Sequence, residues 1–263
     1  MWTATTVGVV NAPLEPLHDP DWYLDHFTAE AERFATAVET GPLDAEIPSC
    51  PGWDVARLAE HLGQIHRWAS FCATNTRPPS QEEALALESF DRDHAADWYR
   101  DCAREVTATL RGLAPDAPTW HPFPVERVAR VWPRRQAHET AMHRWDAERA
   151  IGEPAPFDPE LASDGIDEYF EIAIPRLIKR EQLSIPSGSL HVHCTDVDGE
   201  WLVWNEDGEY RVKRAHEKGD AALRGPAEAI LLRLWGRTSE LSDDLSPVGD
   251  DAVLAAWLSI AGM

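Results

Sequence analysis

Apolar positions recur every three or four residues over the first half of the chain. Near residue 189 they give way to short runs that alternate or concentrate branched and aromatic side chains. Leu24, Phe27, Ala31, Phe34 and Val38 share one face, predicting a helix over about 21–40 that Gly41-Pro42 ends. A second helix follows Asp54, a natural N-cap, and runs to about 76, where Arg77-Pro78-Pro79-Ser80 breaks it. Its stripe is Leu58, Ile65, Trp68 and Cys72; His61 falls within the stripe and is expected to point into a core, whereas His66 falls off it and is expected to face solvent. The acidic stretch Gln81–Ser89 reads as a helical turn or a mobile loop. A third helix, over about 91–113, carries Ala95, Trp98, Cys102, Val106 and Leu110 at helical spacing. The fourth runs from Pro133 to about Ile151 with no internal Gly or Pro.

The Pro- and Gly-rich stretch Gly152–Pro159 has the composition of a linker. It divides an expected helical bundle over 21–152 from a second domain over 160–263, with residues 1–20 as a loosely held arm. In the second domain a helix over about 159–181 precedes strands near 189–195, 201–204, 209–213 and 221–223, with Asp198-Gly199 and Asp207-Gly208 as turns. Helices over about 226–235 and 250–261 close the chain. The predicted fold class is therefore α+β in two domains, a four-helix bundle followed by an α+β domain with a small antiparallel sheet.

With 263 residues, 43% of them hydrophobic, the chain can bury the cores of two modest domains. Its 24 basic against 46 acidic residues give a net charge of -22, which disfavours nucleic acid and anionic membranes as partners. No apolar run is long enough to span a membrane, and the first twenty residues lack the basic start and apolar stretch of a signal peptide. Cys50, Cys72, Cys102 and Cys194 are widely spaced without a CxxC pattern, so neither a zinc knuckle nor a disulfide framework is indicated. These features together predict a cytoplasmic protein.

Candidate chemistry centres on the fourth helix. Glu139 and His143, four residues apart, lie about 40° from each other around the axis and one turn apart along it, so a carboxylate and an imidazole can grip one divalent ion. Two ligands rarely suffice, and catalytic zinc takes three with one position left for water or substrate. The best third candidate is His61.

The blocks Cys50-Pro51-Gly52-Trp53, Leu58-Ala59-Glu60-His61-Leu62-Gly63 and His138-Glu139-Thr140-Ala141-Met142-His143-Arg144-Trp145-Asp146 resemble the mycothiol-dependent maleylpyruvate isomerase family. The likeness continues through Ser189-Leu190-His191-Val192-His193 and Leu223-Arg224-Gly225-Pro226-Ala227 to Leu234-Trp235-Gly236-Arg237. The resemblance implies a DinB-like metal-binding bundle and a sterol-carrier-like second domain. It also implies zinc or a similar divalent metal on His61, Glu139 and His143, and mycothiol as thiol cosubstrate for a small molecule. Family members use an arginine of the second domain; Arg237 resembles it, with Arg224 as the competing assignment. An arginine there could hold a carboxylate bidentately, or simply cap a helix end.

Three functional readings follow. The first is an enzyme in which a metal-activated thiolate drives cis–trans isomerisation of a maleylpyruvate-type acid or thiol transfer to a small electrophile. The second is a noncatalytic metal-containing binding module, and the third a hydrolase using metal-activated water, for which Glu60 makes a poor general base. His191 and His193 alternate on one strand face and read as a polar sheet face, and Cys50 reads as structural. The oligomeric state is open.

Overall fold

A computed structural model describes residues 16–260, so the expected arm lies largely outside the described residues. The chain forms two compact units, His18–Pro122 with Glu126–Pro156, and Phe157 onward with Phe123–Val125.

In the first unit, α1 (Pro20–Thr40), α2 (Val55–Ala73), α4 (Ala95–Arg111) and α5 (Val131–Ile151) form a four-helix bundle, with short α3 (Gln81–Leu87) between α2 and α4. α1 packs on α4 and α5, and so does α2, which gives each long helix two neighbours around one core. Phe27, Phe34, Leu58, Leu62, Tyr99, Val106 and Trp132 fill that core. Part of the acidic excess serves as caps: Asp19 accepts from the backbone N–H of Trp22 at 2.9 Å and Asp54 from that of Arg57 at 2.7 Å. Each such cap stabilises its helix by about 1 kcal/mol.

The predicted face of α1 is buried throughout, but α2 is rotated from its predicted phase. Its buried stripe is Leu58, Leu62, His66, Ala69 and Ala73, while Ile65 and Trp68 are only half-buried. Both histidine expectations are thereby corrected: His66 is fully buried and His61 half-exposed. The reason is that apolar residues line two adjacent faces of α2, and neighbours approach the face with the smallest ones. At Gly63 a Cβ would stand 2.2 Å from the Trp98 ring, so that face accepts a closely packed indole.

In the second unit, α6 (Pro159–Glu168), a π-helical turn (Tyr169–Ala173) and α7 (Ile174–Glu181) follow without a break. Pro175 explains the wide turn, because its ring would collide with the carbonyl four residues back in a regular α-helix. The sheet comprises β1 (Ser189–Cys194), β2 (Glu200–Glu206), β3 (Glu209–Arg214), β4 (Ala221–Gly225) and β5 (Ser246–Gly249), in the order β3-β2-β1-β4-β5. It is mixed rather than antiparallel, since β1 and β4 run parallel. After the β1-β2-β3 meander the chain must recross the sheet, over residues 215–220, to reach the free edge of β1. Such a crossover leaves no mark on the alternation of side chains within either strand.

Leu190, Val192 and Cys194 point inward with Trp201, Val203, Tyr210 and Leu223, against Tyr169, Phe170, Ile230 of α8 (Ala227–Leu234) and Trp257 of α9 (Asp251–Leu258). Buried polar tips find partners: Tyr210 OH donates to the Phe170 carbonyl at 2.9 Å, and Trp201 Nε1 to Asp167 at 2.6 Å.

Candidate metal centre

The bundle brings all three sequence-predicted ligands together. Glu139 Oε1 lies 3.6 Å from His61 Nε2 and 3.4 Å from His143 Nε2. These separations exceed a good N–H···O bond. A tetrahedron with bonds of about 2.0–2.1 Å has edges of about 3.3–3.4 Å, so the spacing suits ligands of one divalent ion.

Helical geometry supplies the Glu139–His143 pair, and neighbouring side chains fix each member. His143 Nδ1 is 2.9 Å from Asp146 Oδ2, one turn further along α5. An ionised carboxylate only accepts, so Nδ1 carries the hydrogen and Nε2 faces Glu139. Asp146 is fully buried and also accepts from Ser49 Oγ at 2.6 Å. Carboxylate support of this kind orients ligating histidines and raises their basicity. Glu139 divides its oxygens, with Oε1 toward the two rings and Oε2 accepting from Arg135 at 3.0 Å.

The Cys50-Pro51-Gly52-Trp53 block has a structural explanation. The Trp53 N–H donates to the Cys50 carbonyl at 3.0 Å, and Gly52 adopts φ +83°, as a type II turn with proline second and glycine third requires. The turn sets the Trp53 ring 4.9 Å, edge to face, from His61. One loop thus steadies His61 through Trp53 and His143 through Ser49 and Asp146. Sequence reading singled out the turn but missed Ser49 and Asp146, although Asp146 sits at the helical i+3 position from His143.

Electrostatics follow from this packing. Burial pushes the Glu139 carboxyl up, but the facing rings of His143 and His61 and the charge of Arg135 hold it well below the usual carboxylate range. Burial pulls His143 down, yet its bond to Asp146 and the Glu139 carboxylate facing it raise it to about 9. His66, one turn from His61 on α2, is different. It bonds Gln136 at 2.7 Å and Tyr99 at 3.1 Å, and burial lowers it to about 4, so it is a neutral core histidine at pH 7.

Comparison with known proteins identifies the family. Residues 24–148 match the family profile of the mycothiol maleylpyruvate isomerase N-terminal domain, and residues 160–256 that of the MDMPI C-terminal domain. The chain belongs to the mycothiol maleylpyruvate isomerase family. The crystal structure of the mycothiol-dependent maleylpyruvate isomerase is similar over 88% of this chain and 93% of that chain, with a TM-score of 0.57 at 14% identity. A histidine-to-alanine mutant of that enzyme gives a TM-score of 0.56 at 13% identity over the same shares. These likenesses establish a shared two-domain fold. No curated protein sequence matches the chain.

In this member of the family the candidate arginines lie in the second unit. Arg237 follows α8, whose end is tied by Arg237 N–H to the Leu232 carbonyl at 2.8 Å and Gly236 N–H to the Arg233 carbonyl at 3.2 Å. This Schellman-type cap fixes the backbone at Arg237, and the Nη1 of its half-buried side chain donates to the Trp235 carbonyl at 3.0 Å. Arg224 is exposed on β4, in register with His193. None of the four cysteines forms a disulfide, and no described helix is long and apolar enough to cross a membrane.

Proposed function

We propose that this chain is a metal-dependent, mycothiol-dependent isomerase of small cis-unsaturated keto acids of the maleylpyruvate type, with zinc or a similar divalent ion held by His61, Glu139 and His143. The observation that carries the reading is the convergence of those three donors at ligand spacing, with His143 oriented by Asp146. A divalent ion bound there supplies a Lewis acid that keeps a thiol deprotonated at neutral pH. Mycothiol supplies a sulfur nucleophile whose addition to a cis double bond permits rotation, and whose elimination returns the trans isomer with no net change in atoms.

The chain's own residues prepare this chemistry. Asp146 accepts from Nδ1 of His143 and so turns Nε2 toward Glu139, while His143, His61 and Arg135 together keep Glu139 ionised and Arg135 aims it. The side chains of His61 and Glu139 keep 29% and 24% of their exposure, so small molecules can reach the cluster from solvent. Arg237, assigned through the family resemblance, would hold a substrate carboxylate. Glu60, the nearest candidate for a hydrolytic general base, instead accepts from Arg57 at 2.6 Å, which weakens the hydrolase reading.

The test is turnover of maleylpyruvate with and without mycothiol, beside a panel of epoxides and halides. Isomerisation that requires the thiol and vanishes in His143→Ala supports the proposal. Conjugation without isomerisation makes the chain a thiol transferase, and no thiol-dependent reaction of either kind leaves the binding module as the better account.

A further inference from the structure

A second cluster lies on the outward face of the sheet, which the proposed isomerase chemistry does not use. His191 and His193 are two apart on β1 and face the same way, while Leu190 and Val192 between and beside them are buried. Glu200 opens β2 directly opposite His193. His216 comes from the crossover that returns the chain from β3 to β4. Glu200 Oε1 is 2.7 Å from His193 Nδ1, and Oε2 is 3.3 Å from His191 Nε2 and 2.5 Å from His216 Nδ1. One ligand atom from each of the four side chains lies within 4.8 Å of every other.

We infer that His191, His193, Glu200 and His216 form a second divalent-metal site, which staples the 215–220 crossover to the sheet. Three imidazoles and one carboxylate are a borderline-soft donor set suited to zinc and also acceptable to nickel or copper. Four protein ligands close a tetrahedral site, in contrast to the three of the bundle, and a closed site is structural rather than catalytic.

The crossover has reason to need a staple. Its sequence, Ala215-His216-Glu217-Lys218-Gly219-Asp220, holds no large apolar residue to anchor it. At its far end Asp220 accepts from the Ser189 N–H and hydroxyl, both at 2.8 Å. Gly219 passes so near β1 that a Cβ would stand 2.8 Å from the His191 nitrogen and 3.0 Å from the Ser189 carbonyl oxygen. At its near end the Ala215 N–H donates to the Glu200 carbonyl at 3.2 Å and Glu217 accepts from Lys213 at 2.7 Å, and the tie from the crossover to the cluster itself is His216 to the Glu200 carboxylate. The His216 side chain keeps 83% of its exposure, so it can swing away and readmit the ion. Metal entry replaces any ring proton in the cluster, because imidazole ligates as the neutral form.

The experiment removes the bundle cluster first. Full-length chain carrying His61→Ala and His143→Ala is stripped with chelator, incubated with zinc, dialysed, and assayed for metal per chain, with the visible spectrum of the cobalt form as a second readout. The expected result is about one retained equivalent and a tetrahedral cobalt spectrum. Adding His216→Ala, an exposed change whose fold is checked by circular dichroism, should weaken binding by more than the 10–100-fold typical of losing an outer-shell partner. No metal retained by the double variant, or undiminished binding after His216→Ala, would overturn the inference and leave a hydrogen-bonded histidine cluster. Neither outcome touches the bundle reading, which stands or falls on metal lost from the native chain when His61 alone is changed.

Discussion

The bundle cluster draws three donors from two helices, whereas the sheet cluster draws four from two strands and a crossover. In the bundle, Glu139 Oε1 stands 3.4–3.6 Å from the two ring nitrogens, longer than a good hydrogen bond, and His143 and Glu139 are held from behind by Asp146 and Arg135. On the sheet, the rings close directly onto Glu200 at 2.5–3.3 Å, and one of them comes from an exposed connector. Under the proposed metal readings, the bundle cluster is already spaced for an ion, whereas the sheet cluster would have to open to take one. With an ion bound as proposed, three donors would leave a position for chemistry in the bundle, whereas four would saturate the ion on the sheet.

The comparison breaks most sharply at the carboxylates. Glu139→Ala leaves the bundle with two imidazoles, so metal affinity there should fall by more than about 100-fold and thiol-dependent turnover should drop to background. Glu200→Ala leaves three imidazoles on the sheet and should reduce affinity far less. Titration of both variants with zinc measures this difference directly, and equal losses would erase the distinction between the clusters.

Acid should act next, through the bundle core. His66 titrates at about 4 when folded and near its ordinary 6.5 when unfolded. The unfolded chain therefore takes up the proton first as pH falls. The stability associated with neutral His66 is fully present above pH 6.5 and is lost progressively down to pH 4, by about 3 kcal/mol in all. Denaturant unfolding at a series of pH values checks the slope, which should flatten in His66→Gln.

Support from behind is expected to matter least of the three. Asp146→Asn keeps the shape but removes the charge that fixes the His143 tautomer, so metal affinity at the bundle should fall about 10–100-fold. Ser49→Ala, one step further out, should cost less. Calorimetric zinc titration resolves both, and an Asp146→Asn variant with native affinity would mean that His143 is not held through Asp146.

What the sequence disclosed tracks the same contrast. Helical periodicity is local, so the bundle, the face of α1 and the Glu139–His143 pair were legible from spacing alone. α2 was misphased because two adjacent faces are apolar, and the choice between them rests on Gly63 admitting Trp98, a tertiary fact. The strands of the meander were legible from alternation and Asp-Gly turns. The parallel β1–β4 pairing was not, and neither was β5, a four-residue edge strand containing Pro247. His191 and His193 were visible as a pair, but their convergence with Glu200 and His216 depends on register and on the path of the crossover. Asp146 could have been found from its i+3 spacing; Ser49 could not, because it reaches the site only through the fold.

Metal content per chain, for protein purified without chelator, in the native sequence and in His61→Ala, tests the bundle metal centre most directly. His61 is half-exposed, so the change should leave the bundle folded. The variant should hold about one equivalent less than the native chain and have no thiol-dependent activity. Identical metal content in the two proteins would contradict the assignment of His61, Glu139 and His143 as the metal centre.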